Sequence, residues 1–196
     1  LIEPLAVGVH AVRQAGIKLA DSVAILGAGT IGLMNLVAAK QAGATKIFIT
    51  DFLDYNLEKA KQLGADYALN PSREKVSEKI KEVSPYGVNK VIITAAFKPA
   101  WEEALRISKK GGDICVVGMF EEEIGVNFLD MLMTQKSIMT SWLYLREDFI
   151  TAIEIAKKVN LKPLITHKLS LYKASEGLKK MDERKENIIK IILNVD

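Results

Sequence analysis

The chain has 196 residues, 49% hydrophobic and 26% charged, with 27 basic side chains against 24 acidic ones and a formal net charge of +3. These proportions describe a globular chain long enough to bury a core, and they exclude collagen, coiled coil and wholesale disorder. So even a charge balance argues against a nucleic-acid partner. One cysteine excludes a disulfide framework or a four-cysteine zinc knuckle, and fits a reducing cytoplasm. The chain opens on Leu1, and Ile2-Glu3-Pro4-Leu5 has neither the basic stretch nor the apolar core of a signal peptide. It is therefore expected to be the back portion of a longer protein.

In chain order, a first helix is expected after Val7 and carries His10. Residues 22–39 are free of charge, and a hydropathy window would read them as a membrane span. Gly27, Gly29 and Gly32 crowd one end of that stretch, however, which suits a strand turning into a helix; no membrane partner is expected. Val23-Ala24-Ile25-Leu26 is the strand and residues 30–42 the helix. Residues 46–50 form a β-branched second strand. Asp54 is expected to cap a helix whose apolar face is Leu57, Ala60 and Leu63, closed by Gly64. Residues 65–69 are a third strand. A charged helix with Val76, Ile80 and Val83 on one face then leads to a fourth strand over 90–95. Its charge run, residues 73–81, reads as a solvated face. Residues 99–110 are helical, and Gly111-Gly112 precedes a fifth strand over 113–118. The last strand is expected over 137–143, with Trp142 and Tyr144 on one face.

Continuous apolar strands alternating with helices predict an α/β fold with a doubly wound, parallel, six-stranded sheet covered on both faces. The pattern changes near residue 147. A helix over 149–159, a strand over 165–171, a helix over 173–181 and a strand over 188–195 have no evident place in that sheet, and are assigned to a second domain.

Gly27-Ala28-Gly29-Thr30-Ile31-Gly32 has the spacing G-x-G-x-x-G. A strand precedes it, a helix follows, and Asp51 stands 19 residues past the last glycine, at the end of the next strand. Gly27 permits the tight turn, Gly29 lets a pyrophosphate approach the backbone, and Gly32 lets helix and sheet pack closely. The helix N-terminus offers unpaired N–H groups to the phosphates. Asp51 would accept both hydroxyls of an adenosine ribose. A carboxylate there repels a 2′-phosphate, and Phe52-Leu53 supplies no arginine to attract one, so NAD is expected rather than NADP.

With Glu3-Pro4-Leu5-Ala6-Val7, the stretch Val23 through Leu33, Lys61-Gln62-Leu63-Gly64-Ala65-Asp66 and Pro163-Leu164-Ile165-Thr166-His167, the chain resembles the medium-chain zinc-dependent dehydrogenases, most of all their sorbitol and threonine dehydrogenase branch. The resemblance implies a remnant of a catalytic domain over 1–7, an NAD-binding Rossmann domain over 8–145 and the C-terminal part of the catalytic domain over 146–196. It places Thr30 and Ile31 beside the cofactor in the glycine loop. Val117, Gly118 and Met119 fall on the nicotinamide side, with Ser141, Trp142 and Leu143. Asn56 stands where an arginine or lysine usually reaches the adenosine. Glu3 matches a ligand of the catalytic zinc, whose other ligands would lie upstream of residue 1. Tyr144 matches a tyrosine near the substrate, whereas Leu143 replaces an arginine that polyol enzymes use. The resemblance also implies a cytoplasmic homodimer or homotetramer formed through the edge strand 137–143, acting on a small alcohol or polyol.

His10, His167, Cys115 and Glu3 form no ligand cluster at recognised spacing. Both histidines read as packing or hydrogen-bonding residues, and Cys115 as a small buried hydrophobe. Two functions are weighed: the NAD-binding part of a dehydrogenase, and a non-catalytic NAD-sensing regulatory module. Glu3-Pro4-Leu5 and the tail after residue 147 favour the first, because a sensor needs neither.

Overall fold

The structure is a computed structural model that describes residues 1–183 and 186–195; of the span 146–196 assigned above, positions 184, 185 and 196 lie outside the described residues. Six parallel strands form the main sheet: β1 Ser22–Leu26, β2 Lys46–Thr50, β3 Tyr67–Leu69, β4 Val88–Ile93, β5 Ser108–Val116 and β6 Ser137–Thr140. They lie in the order β3-β2-β1-β4-β5-β6. The order reverses between β1 and β4, which opens a crevice at the carboxyl ends of those strands.

The apolar strands are explained by cover on both faces. Val23, Ile25, Ile47, Ile49, Ile92 and Cys115 point into one buried cluster, and the alternate residues Ala24, Leu26, Phe48, Val91, Ile93 and Ile114 into another. The first face carries α1 Ile2–Gln14 and α2 Thr30–Gln41. The second carries α4 Val76–Val83 and α5 Lys98–Ile107, while α3 Asp54–Gln62 follows β2. A side chain on Gly8 would meet the Met34 backbone at 2.7 Å, so α1 and α2 cross at a glycine contact.

Several expected boundaries shift. The fifth strand starts at Ser108, so residues 108–110 are strand rather than helix. Gly111-Gly112 lies inside a bulge where the β4–β5 register slips. The last strand stops at Thr140, and Leu143 has a left-handed φ of 53°, so Trp142 and Tyr144 sit on a loop and not on one strand face. Asp54 is the first helical residue, not the cap; Leu53 holds that position. Asp54 instead accepts from Asn70 at 3.0 Å and pairs with Arg73 at 2.6 Å.

Beyond the sheet come α6 Phe128–Thr134, before β6, and α7 Arg146–Ala156 after it. The parallel pair β7 Ile165–Ser170 and β8 Lys190–Asn194 follows, with α8 Ala174–Glu183 between its strands. Ala152 of α7, Leu161, Leu164 and Ile189 are buried in the same cluster as α1 and α2. A buried carboxylate ties this region down. Asp148 accepts from His10 Nδ1 at 2.8 Å, from Arg13 at 2.5 Å and from the Leu145 N–H at 2.8 Å.

Candidate functional site

The glycine loop forms because β1 must turn into α2 within a few residues. Gly27 has φ +105°, and a side chain there would meet Thr94 Oγ1 at 2.7 Å. A side chain on Gly32 would collide with the Gly27 carbonyl oxygen. Both glycines are thus required by the protein itself. Gly29 differs: a Cβ there meets nothing within 4 Å, and its φ of −68° suits any residue. Packing does not require a glycine at that point. Gly29 is the N-cap of α2, and the helix carries no acidic residue in its first turn. Both features suit an anion.

Asp51 follows β2 and is fixed against this loop. Its Oδ2 accepts the Ala28 N–H at 2.8 Å and the Asn56 amide at 3.2 Å, and its Oδ1 accepts the Leu53 N–H at 2.9 Å. A carboxylate has about four acceptor sites, so one on Oδ1 stays open. Two ribose hydroxyls, as expected from the sequence, would need one of these three contacts to give way, the Asn56 amide being the longest. Asn56 is buried and orients Asp51. Thr94, at the end of β4, donates to the Leu26 and Gly27 carbonyls and so closes the turn from the other side. No sequence motif had drawn attention to it.

Beside the loop lies an open cleft of about 1020 Å³ whose walls include Gly27, Asp51, Phe52, Thr94, Phe97 and Met119. Four carboxylates line it (Asp51, Glu74, Glu102 and Glu103) against the cations Lys75 and Arg106. Lys75 is paired with Glu78 at 2.9 Å, and Arg106 with Glu103. Just outside, hydrogen bonding from Asn70 and then from Arg73 holds the Asp54 carboxyl below its ordinary range. The cations near the carboxylate are therefore already engaged.

The remaining predicted residues are spread along the same sheet edge. Val117 and Gly118 follow β5 and hydrogen bond to the Ile93 carbonyl, each at 2.9 Å. A Cβ on Gly118 would sit 2.9 Å from Ala96, so glycine is needed there. Met119 is exposed on the cleft wall. Ile31 is half-buried in the first turn of α2, and Thr30 donates its hydroxyl to the Ile189 carbonyl at 2.5 Å. Ser141 is buried, and its Oγ has no hydrogen-bond partner among the described residues. Trp142 and Leu143 are exposed, whereas Tyr144 is half-buried against Phe149, with ring centroids 5.8 Å apart. None of Ser141, Trp142, Leu143 and Tyr144 lines the cleft.

Glu3 is exposed in the first turn of α1. Among the described residues no three His, Cys, Asp or Glu side chains stand close enough to hold a metal ion, so they do not by themselves fit a zinc centre. His10 is engaged by Asp148, and His167 by Thr166 and Glu186. Burial pushes the Cys115 thiol up to about 12, which leaves it inert as a nucleophile. Among the described residues no helix is long and apolar enough to cross a membrane; residues 22–39 are β1, the glycine turn and most of α2.

Strand order, glycine loop and carboxylate together define a dinucleotide-binding sheet of the Rossmann type. More narrowly, the chain belongs to the zinc-binding dehydrogenase family, whose sequence model matches residues 30–158. It is 35% identical over 181 residues to sorbitol dehydrogenase of Ovis aries, covering 90% of this chain and 51% of that protein. The solved 2R,3R-butanediol dehydrogenase from Bacillus subtilis superimposes with a TM-score of 0.92 at 26% identity, over 100% of this chain and 57% of that one. A Sinorhizobium meliloti structure bound to NADP matches with a TM-score of 0.84 at 29% identity, over 89% of this chain and 53% of that one. The chain spans about half the length of the curated relatives it matches.

Proposed function

We propose that this chain is the NAD-binding portion of a zinc-dependent alcohol or polyol dehydrogenase, in which hydride passes between a secondary alcohol and NAD. The observation that carries the reading is the pairing of open space above Gly29 with a carboxylate, Asp51, anchored to the Ala28 N–H. Pyrophosphate would meet the N-terminus of α2, and a ribose hydroxyl would donate to Asp51 Oδ1. Ile31, Val117, Gly118 and Met119, with Ser141, Trp142 and Leu143, would border the nicotinamide end, and Tyr144 the alcohol. NAD supplies the hydride acceptor when bound; the chain's own residues hold and orient it. The zinc of the whole enzyme would take Glu3 as one ligand, the rest coming from a region preceding α1. On this division residues 1–7 and 146–196 belong with the substrate-binding part and 8–145 with the cofactor.

NAD is favoured over NADP because Asp51 repels a 2′-phosphate and the nearby cations are already paired. Calorimetry should show NADH binding at least about tenfold more tightly than NADPH, or ~1.4 kcal/mol. Asp51→Ser with Phe52→Arg should move the preference toward NADPH. Equal affinities in the unmodified chain would remove this assignment.

The chain by itself should turn nothing over. A catalytic zinc needs about three protein ligands with one position left open, and Glu3 alone cannot hold it. With zinc, NAD and a panel of secondary alcohols and polyols supplied, no NADH absorbance is expected. Zinc-dependent turnover lost in Glu3→Ala would show a complete enzyme instead.

The protein is proposed to work in the cytoplasm as a homodimer or homotetramer. β6 is an open edge of the sheet, with Ile138 exposed on it and Leu132 and Met133 exposed on α6 just before it. An uncovered apolar edge invites pairing with a second copy. Light scattering should report a dimer or larger at high micromolar concentration; a monomer would count against it.

A further inference from the structure

Ile189 is gripped at both of its backbone groups by threonine side chains. Its N–H donates to Thr166 Oγ1 at 3.1 Å, and its carbonyl accepts the Thr30 hydroxyl at 2.5 Å. Thr166 sits where the β7–β8 register slips, and its hydroxyl donates to the Lys190 carbonyl at 3.2 Å. Ile189 is 3% exposed, packs in the cluster that holds α1 and α2, and leads directly into β8. Thr30 stands 159 positions earlier, at the first residue of α2 and next to its N-cap, Gly29. One threonine thus belongs to the C-terminal strand pair and the other to the glycine loop. A hydroxyl has a single proton to donate, and that of Thr30 is directed at Ile189. While this bond stands, an anion at the loop must be met by the backbone N–H groups of the turn.

We propose that Thr30 is a positioning residue that couples occupancy of the glycine loop to the seating of β8, and that its hydroxyl does not serve the dinucleotide. This rests on the reading of the α2 N-terminus as the pyrophosphate site. An anion on the N–H groups of that turn orders its backbone, and with it the direction of the Thr30 side chain. The bond to Ile189 orders the same turn from the other side. Whichever contact forms first lowers the ordering cost of the second. The coupling is reciprocal, so the dinucleotide also holds β8 in place. Because β8 pairs with β7, occupancy of the loop reaches the part of the chain assigned above to the substrate side.

The test is amide hydrogen exchange over residues 189–194, with ADP-ribose as probe and calorimetry to establish saturation. In the unmodified chain, saturating ADP-ribose should slow exchange there by at least about fivefold. Thr30→Val keeps the shape of the side chain and removes the hydroxyl. It should exchange faster than the unmodified chain when no ligand is present. Its affinity for ADP-ribose should stay within about threefold, since the backbone N–H groups remain, and its exchange should respond to saturating ligand by less than about twofold. Thr30→Ser should restore the full response. A bond that is merely structural would leave the response of Thr30→Val as large as before; that result would overturn the coupling and leave the NAD reading standing. So would a folded Thr30→Val chain that binds ADP-ribose more than about tenfold more weakly, because the hydroxyl would then be a ligand contact. Should Thr30→Val not fold, the unmodified chain still decides: ADP-ribose bound without slower exchange over residues 189–194 overturns the coupling. A folded unmodified chain that binds no ADP-ribose would overturn both the coupling and the NAD reading.

Discussion

Gly29→Ala is expected to leave the chain as stable as before and to weaken dinucleotide binding by at least about tenfold, or ~1.4 kcal/mol. Gly32→Ala, three residues on, is expected to do something different. The new methyl at Gly32 would overlap the Gly27 carbonyl, so α2 must move away from the sheet. Overpacking of that kind costs about 3 kcal/mol of stability, and binding falls because the loop itself is distorted. At Gly29 the same methyl touches no protein atom and the backbone is already in an extended conformation. Its only cost is to a ligand that needs the backbone N–H groups uncovered. Denaturant melts and calorimetry on both variants separate the two roles. A Gly29→Ala chain with unaltered NADH affinity would mean that the open space above the loop is not the phosphate site.

Asp148→Ala should destabilise the chain by about 3 kcal/mol, the largest effect anticipated for a residue away from the cleft. Its carboxylate is fully buried and takes three donors, from His10, Arg13 and the Leu145 N–H. Truncation leaves the buried His10 ring and the Leu145 amide without an acceptor, and unsatisfied buried donors cost about 1–3 kcal/mol each. Arg13 is half-exposed and can turn to water when Asp148 is truncated, and Arg13→Ala leaves Asp148 two of its three donors, so Arg13→Ala should cost less than Asp148→Ala. Urea melts of the two variants would check the ordering. Similar losses for both would place the weight on the Arg13–Asp148 ion pair instead.

The parts of this fold that local chemistry dictates were readable from the chain alone. Strands such as Val23-Ala24-Ile25-Leu26 are apolar at every position because both faces of the sheet are covered. The glycine spacing follows from the turn itself, in which Gly27 has a positive φ and Gly32 lies against the Gly27 carbonyl, and Asp51 from the end of the adjacent strand. Features set by distant contacts were not readable. The Asp148–His10 bond joins residues 138 positions apart. The loop after Thr140 turns on a left-handed Leu143, a conformation that leucine does not advertise. Gly111-Gly112 read as a break between helix and strand, yet it serves a bulge whose register depends on β4. Asn56 was expected at the adenosine from the resemblance alone; that it is buried and donates to Asp51 is set by the packing of α3 and is not legible in the sequence.

As proposed, this chain holds a dinucleotide site by itself. Calorimetric titration of the 196-residue chain with NADH tests it most directly, with circular dichroism on the same sample to establish that it is folded. A single saturable site is predicted, competed by ADP-ribose and much weakened in Gly29→Ala. A folded chain that takes up no NADH at millimolar concentration would mean that the cleft beside Gly29 and Asp51 is not a dinucleotide site.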